Sequence, residues 1–274
     1  MSKVKVSVCI PVYNCELYIK ESIDSVLNQT FQDFELIILD NKSTDKTIEV
    51  VKEYKDPRIK LFQNDSNIGM LGNWNKVMTY ASGEYIKILP ADDIIYPDCL
   101  QLQVTALDND TQHKISLVCG RKNVANEHGK VLFTRGFSRK REQVDGIKAI
   151  NKGIRSGGNI IGEPGVVMFR KDVLQKTGGF EASIYYTMDL DLWYRMLLHG
   201  DLFVLPEVIS MFRISSNSES VKIVKQQKND LKNFTKKIYS LKKFNLSWFS
   251  YVTGLFSIEL SLLAKKMIYR HMIK

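Results

Sequence analysis

The chain has 274 residues, 44% hydrophobic and 25% charged, an ordinary globular composition that excludes a collagen-like, coiled-coil or globally disordered chain. That length suits one large α/β domain with a short appendage. The formal net charge of +9 is confined to one end: residues 222–274 hold twelve Lys/Arg against Asp230 and Glu259, a balance of +10, while the rest balances at −1.

In chain order, Val4–Ile10 reads as a buried strand and Glu16–Asn28 as a helix with Ile19, Ile23, Val26 and Leu27 on one face. Phe34–Leu39 is a second buried strand, and Asp45–Tyr54 a second helix. Ile59–Phe62 is a short strand, Gly72–Ala81 a helix, Tyr85–Leu89 a strand and Pro97–Leu107 a helix. Continuous apolar strands separated by helices predict a mostly parallel sheet covered on both faces. Right-handed crossovers then bring the strand C-termini to one edge, where such sheets bind ligands.

Beyond Ile115 the pattern changes. Ile115–Val124 and Val131–Arg135 read as strands around a turn at Glu127–Gly129, followed by a helix near Asp145–Lys152 and a glycine-rich loop. Val166–Phe169 is a strand, Asp189–His199 a helix, and Leu202–Leu205 and Val208–Phe212 are two short strands. This half is expected to complete the same sheet, giving a body over residues 1–220 and a helical tail over 221–274.

Cys9, Cys15, Cys99 and Cys119 show no CxxC pairing, and His113, His128, His199 and His271 have no partner at metal-ligand spacing, so a zinc site is not expected. The apolar run Val4–Ile10 is too short and too early for a signal peptide, which favours a reducing cytoplasm. The first strand is followed by Pro11-Val12-Tyr13-Asn14, with no GxGxxG or P-loop, and the chain has no Gly-x-Ser-x-Gly elbow. Dinucleotide dehydrogenases, P-loop enzymes and α/β-hydrolases are disfavoured.

The basic tail is also aromatic and apolar. Trp248, Phe249, Tyr251, Val252, Leu255, Phe256, Ile258, Leu260, Leu262 and Leu263 lie between Lys242–Lys243 and Lys265, Lys266, Arg270 and Lys274. That mixture suits an anionic membrane surface better than nucleic acid. Two other readings stay open: a helix pair packing on the body or on a second subunit, and a marginal span over Phe244–Ala264.

Acidic residues mark the strand ends. Asp40 closes the second strand, and Asp92-Asp93 follow Tyr85–Leu89, so the topology places them at one crevice. Asp40 alone is equally well a turn-forming residue, and Thr44 or Asp45 a helix cap. Adjacent carboxylates after an apolar strand repel one another unless wet or bridged by a cation. Mg²⁺ characteristically takes one or two carboxylates plus substrate phosphates.

The ordered segments SVCIPVYN (7–14), SVLNQTFQDFELIILDNKSTDKT (25–47), NIG (67–69), GEYIKILPADD (83–93), GEPGVVMFRKDVLQKTGGF (162–180), MDLDLWYRM (188–196) and FRISSNSES (212–220) resemble family 2 glycosyltransferases of the GT-A fold. The resemblance implies that Pro11, Tyr13 and Asn14 lie at the nucleotide, with Asp40 and Asn41 reading base and ribose; relatives often carry Asp-Asp at that pair. It implies that Asp92 is the ribose-side carboxylate and that Asp93 holds Mg²⁺ or Mn²⁺ on the diphosphate. Pro90 stands where relatives commonly have a further Asp, and Met188 where they have Glu. Asp189 matches the catalytic base, with Asp191 its competitor, and Arg213 is a second positive contact for the phosphates. Trp193 and Met196 read as the core face of their helix, Arg195 as an ion-pair residue, and Glu163 as a loop acid able to line the acceptor side.

The reading is therefore an α/β, GT-A type protein, an inverting transferase. It takes a sugar from a nucleotide-diphosphate sugar to a lipid-linked or polysaccharide acceptor, peripherally at the inner face of a membrane. Pro90 and Met188 keep alive a non-catalytic nucleotide-sugar-binding or scaffolding protein of the same fold. A nucleotidyltransferase is weaker, because no basic glycine-rich loop follows the first strand.

Overall fold

Strands β1 (Val6–Val12), β2 (Phe34–Asp40) and β4 (Tyr85–Ile88) are buried at every position, as expected of parallel strands covered on both faces. In the computed structural model, which describes residues 4–181, 184–214 and 224–272 (side chains of the last helix as far as Ser261), they lie in one sheet with β3 (Ile59–Gln63). The order is β3-β2-β1-β4-β9-β6-β10-β5, where β5 is Ile94–Ile95, β6 Ile115–Asn126, β9 Val167–Arg170 and β10 Asp201–Ile214. β3, β2, β1 and β4 pair in parallel. β9 runs antiparallel to both β4 and β6, and β6 pairs in parallel with β10, so β6 and β10 share the direction of the first four. Their C-terminal ends meet one edge. β7 (Val131–Arg135) and β8 (Glu142–Val144) add antiparallel margins on β6 and β10.

The crossovers are α1 (Ile19–Leu27), α2 (Thr47–Lys52), α3 (Gly69–Thr79) and α4 (Cys99–Asp108), followed later by α5 (Gly146–Arg155), α6 (Lys171–Thr177) and α7 (Met188–Met196). One core forms on each sheet face: Ile10, Ile23, Leu36 and Leu100 on one, and Ile37, Ile88, Phe169 and Trp193 on the other. Met188 is buried in the second core.

Two expected strands prove to be one. β10 runs through Pro206, and its pairing with β6 slips between Val204 and Val208. Proline cannot donate to a ladder, so the chain bulges there and continues. β5, β8 and α6 were not foreseen; they span two, three and seven residues, too few to establish a period.

The tail forms α8 (Val224–Ser240) and α9 (Trp248–Met272), antiparallel neighbours packed on the body. Leu231, Phe234, Ile238, Phe244 and Ile258 join the second core. Gly254 brings α9 against α5, where a Cβ would lie 2.7 Å from the Ile154 carbonyl oxygen. Lys237 pairs with Asp191 at 2.7 Å. Packing thus accounts for one face of the tail. No helix among the described residues is long and apolar enough to cross a membrane. Ser215–Ser220, the boundary at 220/221 and the side chains of Leu262, Leu263, Lys265, Lys266, Arg270 and Lys274 lie outside the described residues.

Candidate active site

At the end of β1 the chain leaves the sheet through buried Pro11 to exposed Tyr13 and Asn14. Asn14 has a positive φ of 48° and bridges to the loop after β2: its backbone N–H donates to Ser43 Oγ at 2.9 Å, and its Oδ1 accepts from Thr44 N–H at 2.8 Å. Asp40, fully buried at the end of β2, accepts from Ser43 N–H at 3.0 Å, from the Ser43 hydroxyl and from Gln63 Nε2 at 2.9 Å. Its carboxylate shapes its own loop, as the turn reading expected.

Asn41 is enclosed in a cluster of amides. Its Oδ1 accepts from Asn64 Nδ2 at 2.9 Å and Ile68 N–H at 3.0 Å, and its Nδ2 donates to Asn67 Oδ1 at 2.8 Å. Asn73 Nδ2 donates to the Leu39 carbonyl at 3.2 Å. The departure from Asp at position 41 therefore has a local reason, since the neighbours need a donor as well as an acceptor.

Asp92 and Asp93 occupy the turn between β4 and β5, closed by Asp93 N–H donating to the Pro90 carbonyl at 3.0 Å. Asp93 is 2% exposed, and its Oδ1 accepts from the backbone N–H of Arg213 at 2.9 Å. Burial and the neighbouring Asp92 charge push the Asp93 carboxyl well above the ordinary carboxylate range, and burial raises Asp92 too, opposed by Arg213. A close pair of desolvated carboxylates is short of positive charge. Its hard oxygen donors fit Mg²⁺ or Mn²⁺ held jointly with phosphate, although no cluster of three acidic, His or Cys side chains exists among the described residues.

Arg213, expected at the phosphates, directs its guanidinium to the protein. Nε donates to the Asp92 carbonyl at 3.0 Å, Nη1 to the Glu127 carbonyl at 2.9 Å and Nη2 to Glu21 Oε2 at 2.5 Å, and the group lies 4.7 Å from the Tyr18 ring centroid. It clamps the Asp92-Asp93 turn from the side of β10.

Asp189, in the first turn of α7, accepts from Asn159 Nδ2 at 2.6 Å and from Leu190 N–H at 2.8 Å. Burial pushes its carboxyl up to about 6, with the Lys122 charge and the Asn159 hydrogen bond acting the other way. Asp191 is placed differently: Arg195 Nε and Lys237 Nζ each reach it at 2.7 Å. Geometry thus separates the two acids into one held by amides and one neutralised by cations. Trp193 and Met196 are in the core and Arg195 is an ion-pair residue, as expected.

Two residues escaped the sequence reading. Lys122, on β6, is 2% exposed, is ion-paired with Glu163, and its charge acts on both Asp93 and Asp189. Asn159 holds Asp189 from the glycine-rich loop. A lysine inside a strand as apolar as Ile115–Val124 was the available signal. Lys122 is thus within electrostatic reach of Asp93 in the β4 turn and of Asp189 on α7.

The chain has counterparts among known proteins. The model of glycosyl transferase family 2 matches residues 7–178. An uncharacterized glycosyltransferase of Methanocaldococcus jannaschii is 31% identical over 94% of this chain and 90% of its own length. A UDP-Glc:α-D-GlcNAc-diphosphoundecaprenol β-1,3-glucosyltransferase of Escherichia coli is 37% identical over 46% of this chain and 49% of its own. Among solved structures, S. aureus TarS in complex with UDP-GlcNAc superposes with a TM-score of 0.70 at 20% identity, covering 93% of this chain and 71% of that one. The mannosyltransferase PcManGT from Pyrobaculum calidifontis, in complex with GDP-Man and Mn²⁺, gives 0.67 at 15% identity over 98% and 76%. Fold, ordered motifs and family model agree: the chain is a GT-A glycosyltransferase and belongs to glycosyl transferase family 2.

Proposed function

We propose that the protein transfers a sugar, with inversion, from a nucleoside-diphosphate sugar to a hydroxyl of a lipid-linked or polysaccharide acceptor in cell-surface glycan synthesis. The observation that carries this reading is the loop over residues 157–166, which meets Asp189 through Asn159 and Asp93 through Gly165. Donor diphosphate belongs beside Asp92 and Asp93, with its nucleoside toward Pro11, Tyr13, Asn14, Asp40 and Asn41. Asp92 and Asp93 would hold a divalent cation, which would supply the positive charge that offsets the departing diphosphate. Asp189 takes the proton from the acceptor hydroxyl while that oxygen attacks the anomeric carbon and the bond to the β-phosphate oxygen breaks. A carboxyl near 6 is ionised at neutral pH yet basic enough to help, an effect worth ~10²–10⁴ in rate.

The acceptor class draws support from the E. coli relative, which by its name acts on a diphosphoundecaprenol-linked sugar. A peripheral site at the cytoplasmic face of a membrane draws support from α9. Trp248, Phe249, Val252, Phe256 and Leu260 are exposed on the side away from the body, and Lys242 and Lys243 are exposed just before them.

The test is a panel of UDP-, GDP-, dTDP- and CMP-sugars with Mn²⁺, followed by nucleotide release. One donor should turn over, and Asp93→Ala and Asp189→Asn should each lose most of that turnover. Equal turnover in both variants overturns the assignment. Thermal shifts with the free nucleotides identify the base, because a ligand of the folded state raises its apparent stability.

A further inference from the structure

The loop over residues 157–166 touches both halves of the site. Asn159 Nδ2 donates to Asp189 Oδ2 at 2.6 Å and to the Gly162 carbonyl at 3.0 Å, and its Oδ1 accepts from Gly162 N–H at 2.8 Å. The Gly162 carbonyl also accepts from Trp193 Nε1, on α7, at 3.0 Å. Three residues on, Gly165 covers the β4 turn so closely that a Cβ there would lie 3.5 Å from Asp93 Oδ2 and 3.7 Å from Pro90 Cδ. Between these two points stands Glu163, whose carboxylate pairs with Lys122.

We propose that the Lys122–Glu163 ion pair is the positioning device of the active centre: it ties the 157–166 loop to β6, and so sets Asn159 against Asp189 and Gly165 over Asp93 together. This rests on the transferase reading above. A buried ammonium is retained at a desolvation cost, and a partner on a loop makes that cost conditional on the loop's position. Lys122 is 2% exposed, and the Glu163 side chain is 25% exposed, so the anchor is enclosed while its partner is partly open. The Lys122 ammonium also lies 5.6 Å from the Phe212 ring centroid, next to Arg213 in β10, which holds Asp93 from the opposite strand. The ammonium acts a second way, as the cation that lowers the basicity of Asp189. Burial and the Asp189 charge in turn raise the Tyr194 phenol, on the same helix.

The pair is tested with Lys122→Met, Lys122→Arg and Glu163→Gln, read by steady-state kinetics, the pH profile of kcat and amide hydrogen exchange. Both Lys122→Met and Glu163→Gln should lower kcat by about 10²-fold, with a much smaller change in donor KM, as expected of a misplaced base. Exchange in residues 157–166 should rise in both variants while β1 and β2 keep wild-type protection. Lys122→Met should move the acid limb of kcat upward, and Lys122→Arg should leave it at the wild-type position. Wild-type kcat and loop exchange in both Lys122→Met and Glu163→Gln would overturn the proposal. Should the wild type turn over no donor, the transferase reading fails separately, and the exchange experiment still decides whether the pair ties the loop.

Discussion

Arg213 and Asp93, 120 residues apart in sequence, are joined by a hydrogen bond from the Arg213 backbone N–H to Asp93 Oδ1 at 2.9 Å. The same arginine wraps its side chain around the turn, meeting the Asp92 carbonyl, Glu127 and Glu21. One residue of β10 thereby controls the position of both carboxylates proposed to face the diphosphate.

Arg213→Met keeps the backbone contact and removes the clamp. Two carbonyls lose a charged donor, and Glu21, with a side chain 58% exposed, contributes little once screened. The expected loss is about 2 kcal/mol of stability, checked by urea unfolding. Mn²⁺-dependent nucleotide binding should weaken in parallel, measured as a smaller thermal shift. Asp93→Ala should abolish the Mn²⁺ dependence of that shift and leave metal-free nucleotide binding near wild type.

Asp189 links activity and stability with opposite signs. Its carboxyl is raised from 3.8 to about 6 in the folded protein, so kcat should fall as pH drops through about 6. Between those values the folded state binds more protons than the unfolded one, and stability decreases as pH rises through that window. Asp189→Asn removes the penalty. Its amide nitrogen would face Asn159 Nδ2 or Leu190 N–H and lower its stability at every pH, so the reading is the difference: relative to wild type it should gain about 1–2 kcal/mol between pH 3 and pH 7, discounted because the side chain still meets solvent. Denaturation at the two pH values, beside a kcat reduced by ~10²–10⁴, checks both.

These contrasts show where sequence reading stopped. β1, β2 and β4 were legible to within two residues because a buried parallel strand writes itself as an unbroken apolar run. The acids at strand ends were legible because topology sends those ends to one edge. The division of labour between Asp189 and Asp191 was not, since it depends on Lys237 and Asn159, which lie 46 and 30 residues away. The contacts of Arg213 with Asp92, Glu127 and Glu21 depend on a side-chain direction that no spacing encodes. Lys122 lay hidden in a strand where a lysine reads as a solvent-facing position.

Asn41 offers a test of why an amide follows Asp40. Asn67 Oδ1 accepts from both Asn41 Nδ2 and Gly69 N–H, each at 2.8 Å, so Asn67 cannot flip its amide without losing the second bond. In Asn41→Asp a carboxylate oxygen would face Asn67 Oδ1 and the Gly69 carbonyl, three acceptors with no proton between them. The expected cost is about 1–3 kcal/mol at pH 7. A carboxyl so placed is harder to ionise folded than unfolded, so the deficit should shrink as pH falls from 7 toward about 4, the unfolded value, where the protonated acid again donates. Guanidinium unfolding of wild type and variant at pH 7 and pH 4 distinguishes this from a pH-independent defect.

The tail requires substitutions instead of truncation. Ile258, on α9, is 1% exposed in the core, so removing that helix would unpack the body as well as any membrane face. Phe249 and Phe256 are 61% and 66% exposed, on the face that also carries Val252 and Leu260 at helical spacing. Phe249→Asp with Phe256→Asp should leave thermal unfolding unchanged while lowering partition onto phosphatidylglycerol-containing vesicles. If each ring contributes about 1 kcal/mol at the interface, the combined fall exceeds about tenfold. Replacing Lys242 and Lys243 by Gln should lower binding to anionic vesicles at low salt and have little effect at high salt, where such charges are screened. Partition unchanged by all four substitutions would remove the membrane from the proposed function and leave the catalytic centre untouched.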